Sequence, residues 1–169
     1  MKKRTALKVL MIAGLAAVAV FAFTGCEALN LKMEVEGTWV KEGDFPQKWE
    51  IKDGVFNVYY SLDGTEPAYS YNIVEFDNGG FNGGETGQGE CGYAVISIKT
   101  PSQYMPESGY NILRWQNLEV VDGETKVDMI EGYKDGEYLD SAEDAKTTVT
   151  KENGWFAFGY TEDFVLQAE

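Results

Sequence analysis

Histidine is absent from this 169-residue chain, cysteine occurs twice, and basic side chains are few, 14 Lys and Arg against 28 Asp and Glu. Each shortage closes off some chemistry. Without imidazole there is no Ser-His-Asp or Cys-His nucleophile system, no His-based zinc site and no ready proton shuttle near neutral pH. With a formal net charge of -14, no surface is expected to collect the cations that a nucleic-acid backbone requires. What remains is 44% hydrophobic and 14% aromatic, enough for one domain with a real core. The chain reads as a non-enzyme with no cofactor and no metal.

Residues 1–25 differ in composition from all that follows. Lys2, Lys3, Arg4 and Lys8 stand at the front, no acidic residue occurs, and residues 9–23 are uncharged and apolar. A basic head, an apolar middle and small residues before a cut form a secretory signal; an uncleaved membrane anchor is the alternative. The run ends in Phe23-Thr24-Gly25-Cys26, which resembles the lipobox of bacterial lipoproteins, with Phe23 standing where leucine is usual. The resemblance implies diacylation of Cys26, removal of residues 1–25, and a lipid tether to a membrane of the bacterial cell envelope, facing the periplasm or the cell exterior. Two acyl chains hold a protein firmly where one holds it marginally. Cleavage removes four basic residues and no acidic ones, taking the formal charge from -14 to -18. A body this acidic stands off anionic headgroups, with residues 26–36 as the tether. Only Cys91 then remains as a free thiol, so no intrachain disulfide forms. With no base nearby in sequence, Cys91 reads as inert.

Beyond residue 36, short runs rich in Val, Ile, Tyr, Phe and Trp alternate with turn dipeptides. Eight strands are expected, at 37–41, 48–51, 55–61, 68–76, 93–100, 110–116, 126–133 and 155–160. Asp53-Gly54, Asp63-Gly64, Asp122-Gly123 and Asp135-Gly136 mark turns. A helix is expected over 141–151, capped by Ser141 with Glu143 and Asp144 in its first turn. Residues 77–92 hold seven glycines in sixteen positions and read as a loop. The loop lacks the Lys-Ser/Thr ending of a phosphate site, and Asp77, Asn78, Asn82 and Glu85 depart from calcium-loop spacing. Eight strands with short connections avoid bare edges by closing on themselves. The expected fold is therefore an all-β, eight-stranded antiparallel up-and-down barrel over 37–169, with one short helix before the last strand. A β-sandwich is the competing architecture.

Gly37-Thr38-Trp39 at the start of the first strand resembles the Gly-x-Trp signature of lipocalin-like barrels. Ile96-Ser97-Ile98-Lys99, the aromatic strand from Tyr110 to Trp115, and Asn153-Gly154-Trp155-Phe156 are similar in pattern to small bacterial lipoproteins with lipocalin-like domains. The resemblance implies that Trp39 packs across one end of the barrel. The basic residue that lipocalins place after the last strand is absent here. It further implies a barrel that binds a small hydrophobic or amphipathic ligand. Candidate ligand residues are Arg114, the sole arginine after cleavage, Ile112 on its face, and Tyr59, Tyr69, Tyr71 and Tyr93 as lining. Inside the barrel, Arg114 would bind a carboxylate or phosphate; the competing reading is a structural ion pair or a cation-aromatic contact, with Trp39 as one partner. Glu75, Asp128, Glu131, Glu143 and Asp144 read as solubilising charges. The alternative function is a non-catalytic structural or adhesive surface lipoprotein with a filled barrel. Oligomeric state is open.

Overall fold

The computed structural model describes residues 32–78, 92–156 and 161–168. Met33–Glu169 forms one compact unit. Its strands are β1 (Gly37–Lys41), β2 (Gln47–Lys52), β3 (Val55–Tyr59), β4 (Tyr69–Asp77), β5 (Gly92–Thr100), β6 (Tyr110–Val121), β7 (Glu124–Glu131) and β8 (Thr161–Leu166), with one helix, α1 (Ala142–Thr148), before the last. Each strand pairs antiparallel with its sequence neighbour, and β8 returns to β1 to close the barrel. The all-β up-and-down barrel is therefore the fold.

Local chemistry accounts for the hairpins. Asp53-Gly54 and Asp122-Gly123 both have positive φ at both residues (52° and 75°, 53° and 88°). This is the primed turn whose twist matches paired strands and which glycine adopts at no steric cost. Ser141 caps α1 by accepting from the Asp144 N–H at 3.1 Å. The seam between β1 and β8 aligns Trp39 with Leu166 and Val40 with Val165, and the Gln167 N–H donates to the Thr38 carbonyl at 2.8 Å.

Alternation splits the apolar residues into two layers. Trp49, Ile51, Phe56, Val58, Tyr71, Ala94, Ile96, Leu113, Trp115, Val127, Met129 and Phe164 fill the barrel. Val95, Ile112 and Ile130 point outward and are covered by Ala145 and Val149 around α1 together with Trp155 and Phe156. One end of the barrel is plugged from the N-terminal side. Met33 and Val35 are buried in the core, so the folded body takes in the last residues of the segment expected to serve as tether. Trp39 Nε1 donates to the Val35 carbonyl at 2.8 Å, Trp115 Nε1 donates to Glu34 Oε1 at 2.5 Å, and the Glu34 N–H donates to Asn78 Oδ1 at 3.1 Å. Trp39 thus lies at the closed end. Gly92 lies flat under the Trp115 indole, where a Cβ would stand 2.1 Å from Cε2.

Two expected strands differ most, and the helix ends at Thr148 rather than at 151. β6 runs on to Val121 because Asn117, at φ 54°, makes a bulge that shifts the register between Gln116 and Glu119. The inward phase passes from Leu113 and Trp115 to Leu118, so simple alternation ends at the bulge. The last strand is 161–166, not 155–160. Trp155 and Phe156 bury themselves outside the wall instead, with Phe156 bridging Tyr133. The expected strand residues 157–160 lie outside the described residues, as do most of the glycine-rich loop, Cys91 and Cys26.

A chain beginning at Gly37 should be markedly less stable than one beginning at Lys32. The shorter chain loses two buried apolar side chains, each contributing about 1.5–3 kcal/mol, and leaves two buried indole N–H groups without acceptors. Urea unfolding of both forms checks this; equal midpoints would show that the plug is ornamental.

Candidate functional site

The end opposite the plug is framed by the connections β1–β2, β3–β4, β5–β6 and β7–α1, and it is only partly filled. A column of aromatic rings climbs toward it. Trp49 packs against Phe164 (4.7 Å between centroids) and edge-on to Phe56 (5.1 Å), Phe56 stacks on Tyr71 (5.7 Å), Tyr71 meets Tyr69 at 85° (5.7 Å), and Tyr69 meets Tyr60 (6.2 Å). Above the packed part lie two adjoining clefts. One, of about 360 Å³, is walled by the inward-facing Trp49 and Val58, by Tyr59, and by Ile130 and Trp155 of the outer layer, among others. The second, of about 290 Å³, is walled by Met105, Glu137 and Tyr138 among others. Tyr60, Tyr69, Glu131 and Tyr133 belong to both.

Glu131 is the chemical centre of this mouth. It ends β7 on the inward phase set by Val127 and Met129. The Tyr71 hydroxyl donates to Glu131 Oε1 in a short contact, Tyr71 Oη and Tyr138 Oη lie 2.9 Å apart, and Asn111 Nδ2 stands 3.5 Å from Oε1. Tyr69 and Tyr138 also lie near enough for their hydroxyls to favour its charged form. Burial pushes Glu131 up to about 7, and the hydroxyls of Tyr71, Tyr138 and Tyr69 hold it below where burial alone would take it. In turn Tyr69, Tyr71 and Tyr138 are all raised, first by burial and then by the Glu131 charge.

The supports of this cluster are backbone devices. The connection after β7 folds back so that Tyr110 and Leu139 exchange two hydrogen bonds (2.8 and 3.0 Å), which places Tyr138 over the mouth. Gly109, at φ +150°, admits the Tyr138 Cβ, which would stand 2.6 Å from a methyl there. Gly132 admits Asn111, whose Nδ2 donates to the Gly132 carbonyl at 2.7 Å and whose Oδ1 would lie 2.5 Å from an added Cβ.

The sequence-expected ligand residues divide. Tyr69 and Tyr71 are at the mouth and face inward. Tyr59 reaches the first cleft, while its hydroxyl donates to Glu50 Oε2 at 3.1 Å, and burial with that carboxylate raises it to about 12. Ile112, Arg114 and Tyr93 are corrected: they belong to the outer face. Ile112 packs under α1, Tyr93 packs partly against the same layer, and Arg114, paired with Tyr93 across β5 and β6, is 4% exposed with its guanidinium 5.0 Å from the Phe156 ring. The cation-aromatic reading of Arg114 holds in kind, with Phe156 rather than Trp39. Strand phase decides it, since Leu113 and Trp115 point inward. Glu131 is likewise corrected from a solubilising charge to the centre of the mouth, and its partner Tyr138 lay in the unassigned stretch between the Asp135-Gly136 turn and the helix. The one signal available was that Glu131 continues the inward phase of Val127 and Met129 while being charged.

Among the described residues no helix is long and apolar enough to cross a membrane, and no group of three or more acidic or thiol side chains could hold a metal ion. No protein-family model matches the chain, nor does any curated protein or solved structure.

A pH dependence follows from Glu131. Its folded value of about 7 exceeds its ordinary 4.5, so the folded chain keeps a proton that an unfolded chain has released. The contribution is complete below about pH 4.5 and is lost as pH rises through 7. The phenols facing it on β4 and the β7–α1 connection stay neutral throughout this window, and Glu137 at the rim is exposed. Across that range wild-type stability should fall by about 2–3 kcal/mol relative to Glu131→Gln. Urea unfolding of both proteins at several pH values measures it, and parallel curves would refute the assignment.

Proposed function

We propose that the protein is a lipoprotein, anchored through Cys26 to a membrane of the bacterial cell envelope, whose lipocalin-like barrel binds a small amphipathic molecule at its open mouth without transforming it. The observation that carries this reading is the aromatic cleft of about 360 Å³ at one end of an otherwise packed barrel. That volume falls within the range of small-molecule sites, which are apolar concavities with a few placed polar groups. The polar groups on its wall include Glu131, Gln47 and the tyrosines Tyr59, Tyr60, Tyr69 and Tyr133, while Tyr71 supports Glu131 from within the core. Binding would rest on burial of ligand surface, at about 25 cal/mol per Å² removed from water. Arg114, on the outer face, takes no part. The absence of histidine from the sequence favours binding over catalysis.

A second reading, a structural or adhesive lipoprotein, draws on a different observation. Phe45, Tyr60, Tyr104 and Tyr133 are exposed, and each comes from a different connection around the mouth. Such a rim suits contact with another macromolecule.

Two measurements test the proposal. Organic extraction and mass spectrometry of the full chain, purified in a neutral detergent, should reveal a small molecule enriched over an unrelated membrane protein purified alongside. Tyr69→Ala should deplete it at least tenfold, and Arg114→Lys should leave it unchanged. An extract with nothing enriched would favour the adhesive reading. For the anchor, metabolic labelling with a radioactive fatty acid should mark the wild type and fail to mark Cys26→Ala; equal labelling rules the anchor out.

A further inference from the structure

We propose that the ligand of the mouth is a small organic cation, an amine with an apolar or aromatic body, and that Glu131 is its counter-charge. This rests on the cleft-binding reading above and adds the chemical class. Among the described residues, the charged side chains on the walls of the two clefts are Glu131 and Glu137, both acidic. Lys48 reaches the Tyr59 ring at 4.3 Å, but its Nζ donates to the Gly64 carbonyl at 2.8 Å and it belongs to neither wall. The groups hydrogen-bonded to the Glu131 carboxyl are neutral phenols and an amide. A carboxylate in such a place is short of compensating charge, and an opposite charge is what best stabilises its ionised form. An ammonium group supplies up to three donors on a compact charge.

The walls point the same way. Tyr59, Tyr60, Tyr69 and Tyr133 line the cavity, and aromatic rings attract cations, as the Tyr59 ring does Lys48. A fatty acid or phosphate ester would carry its own negative charge toward Glu131 and Glu137 and gain no basic partner on the walls. The net charge of -14 on the chain acts at longer range in the same sense, concentrating cations and repelling anions. The acidic character of the chain and the placement of its half-buried carboxyl are thus two reasons for the same choice of ligand.

The test uses three water-soluble probes of nearly equal size: 2-phenylethylamine, 2-phenylethanol and 3-phenylpropionate. Each is titrated into the full chain in a neutral detergent at pH 8, and tryptophan fluorescence is followed, since Trp49 and Trp155 line the cleft. The amine should bind at least tenfold more tightly than the alcohol, and the carboxylate more weakly than either. In Glu131→Gln, confirmed as folded by its melting curve, the amine should lose its advantage over the alcohol. Glu137→Gln, altered only at the exposed rim, should reduce the amine preference by less than Glu131→Gln. Equal binding of amine and alcohol to the wild type overturns the charge assignment and leaves the cleft standing as a site. A preference that survives Glu131→Gln overturns Glu131 as the counter-charge. Failure of all three probes to bind overturns the cleft-binding reading itself.

Discussion

Closure of the sheet is the constraint on which everything else depends. β1 is five residues long and meets β8 through two aligned pairs, Trp39 with Leu166 and Val40 with Val165. So short a seam has few ladder hydrogen bonds of its own. It is reinforced from inside by the plug, where the Trp39 indole holds the Val35 carbonyl and Met33 lies in the core. Sealing the seam turns eight alternating strands into an inside and an outside. Only then do the even residues of β5 become core and the odd ones a floor for α1.

The barrel is unevenly filled, and the unevenness is chemical. Toward the plug, the indoles of Trp39 and Trp115 and several aliphatic side chains leave little room. Toward the mouth, tyrosines gather around Trp49, and an inward position of β7 is occupied by a carboxyl group. Tyrosine has an apolar body and a polar tip, so Tyr69, Tyr71 and Tyr138 can complete a core and at the same time solvate Glu131. The cost of burying an acid is met by hydroxyls rather than by a lysine or arginine, which leaves the site with negative character.

Much of the fold was legible because its turns are written in dipeptides. Asp53-Gly54 and Asp122-Gly123 fix hairpins, and the alternation of Tyr93 to Thr100 gives a strand, although Tyr93 was expected to line the cavity and packs on the outer face instead. Ser141 with Asp144 gives the start of the helix. The last strand was misread because aromatic residues are strong strand formers and Trp155 and Phe156 outcompeted the acidic Thr161-Glu162-Asp163 start of the true β8. Their burial came from a second layer that local pattern cannot reveal. The extension of β6 was hidden by a left-handed asparagine. For the site, Tyr69 and Tyr71 could be found by type and phase, whereas Arg114 could not be placed until the direction of β6 was known. Glu131 was indistinguishable by composition from the other acidic residues, because what sets it apart is the convergence of three tyrosines from two separate stretches of chain.

The pairing order has a kinetic corollary. Seven of the eight strand contacts join sequence neighbours and so close comparatively short loops. The eighth joins the two extremes of the body, and its loop-closure entropy is the largest the chain must lose. Hairpins can therefore zip up early, while the flanks of β1 and β8 stay bare until the end. During that interval each copy carries two unpaired strand edges that fit those of its neighbours, and crowding at the time of assembly favours tangles over monomers.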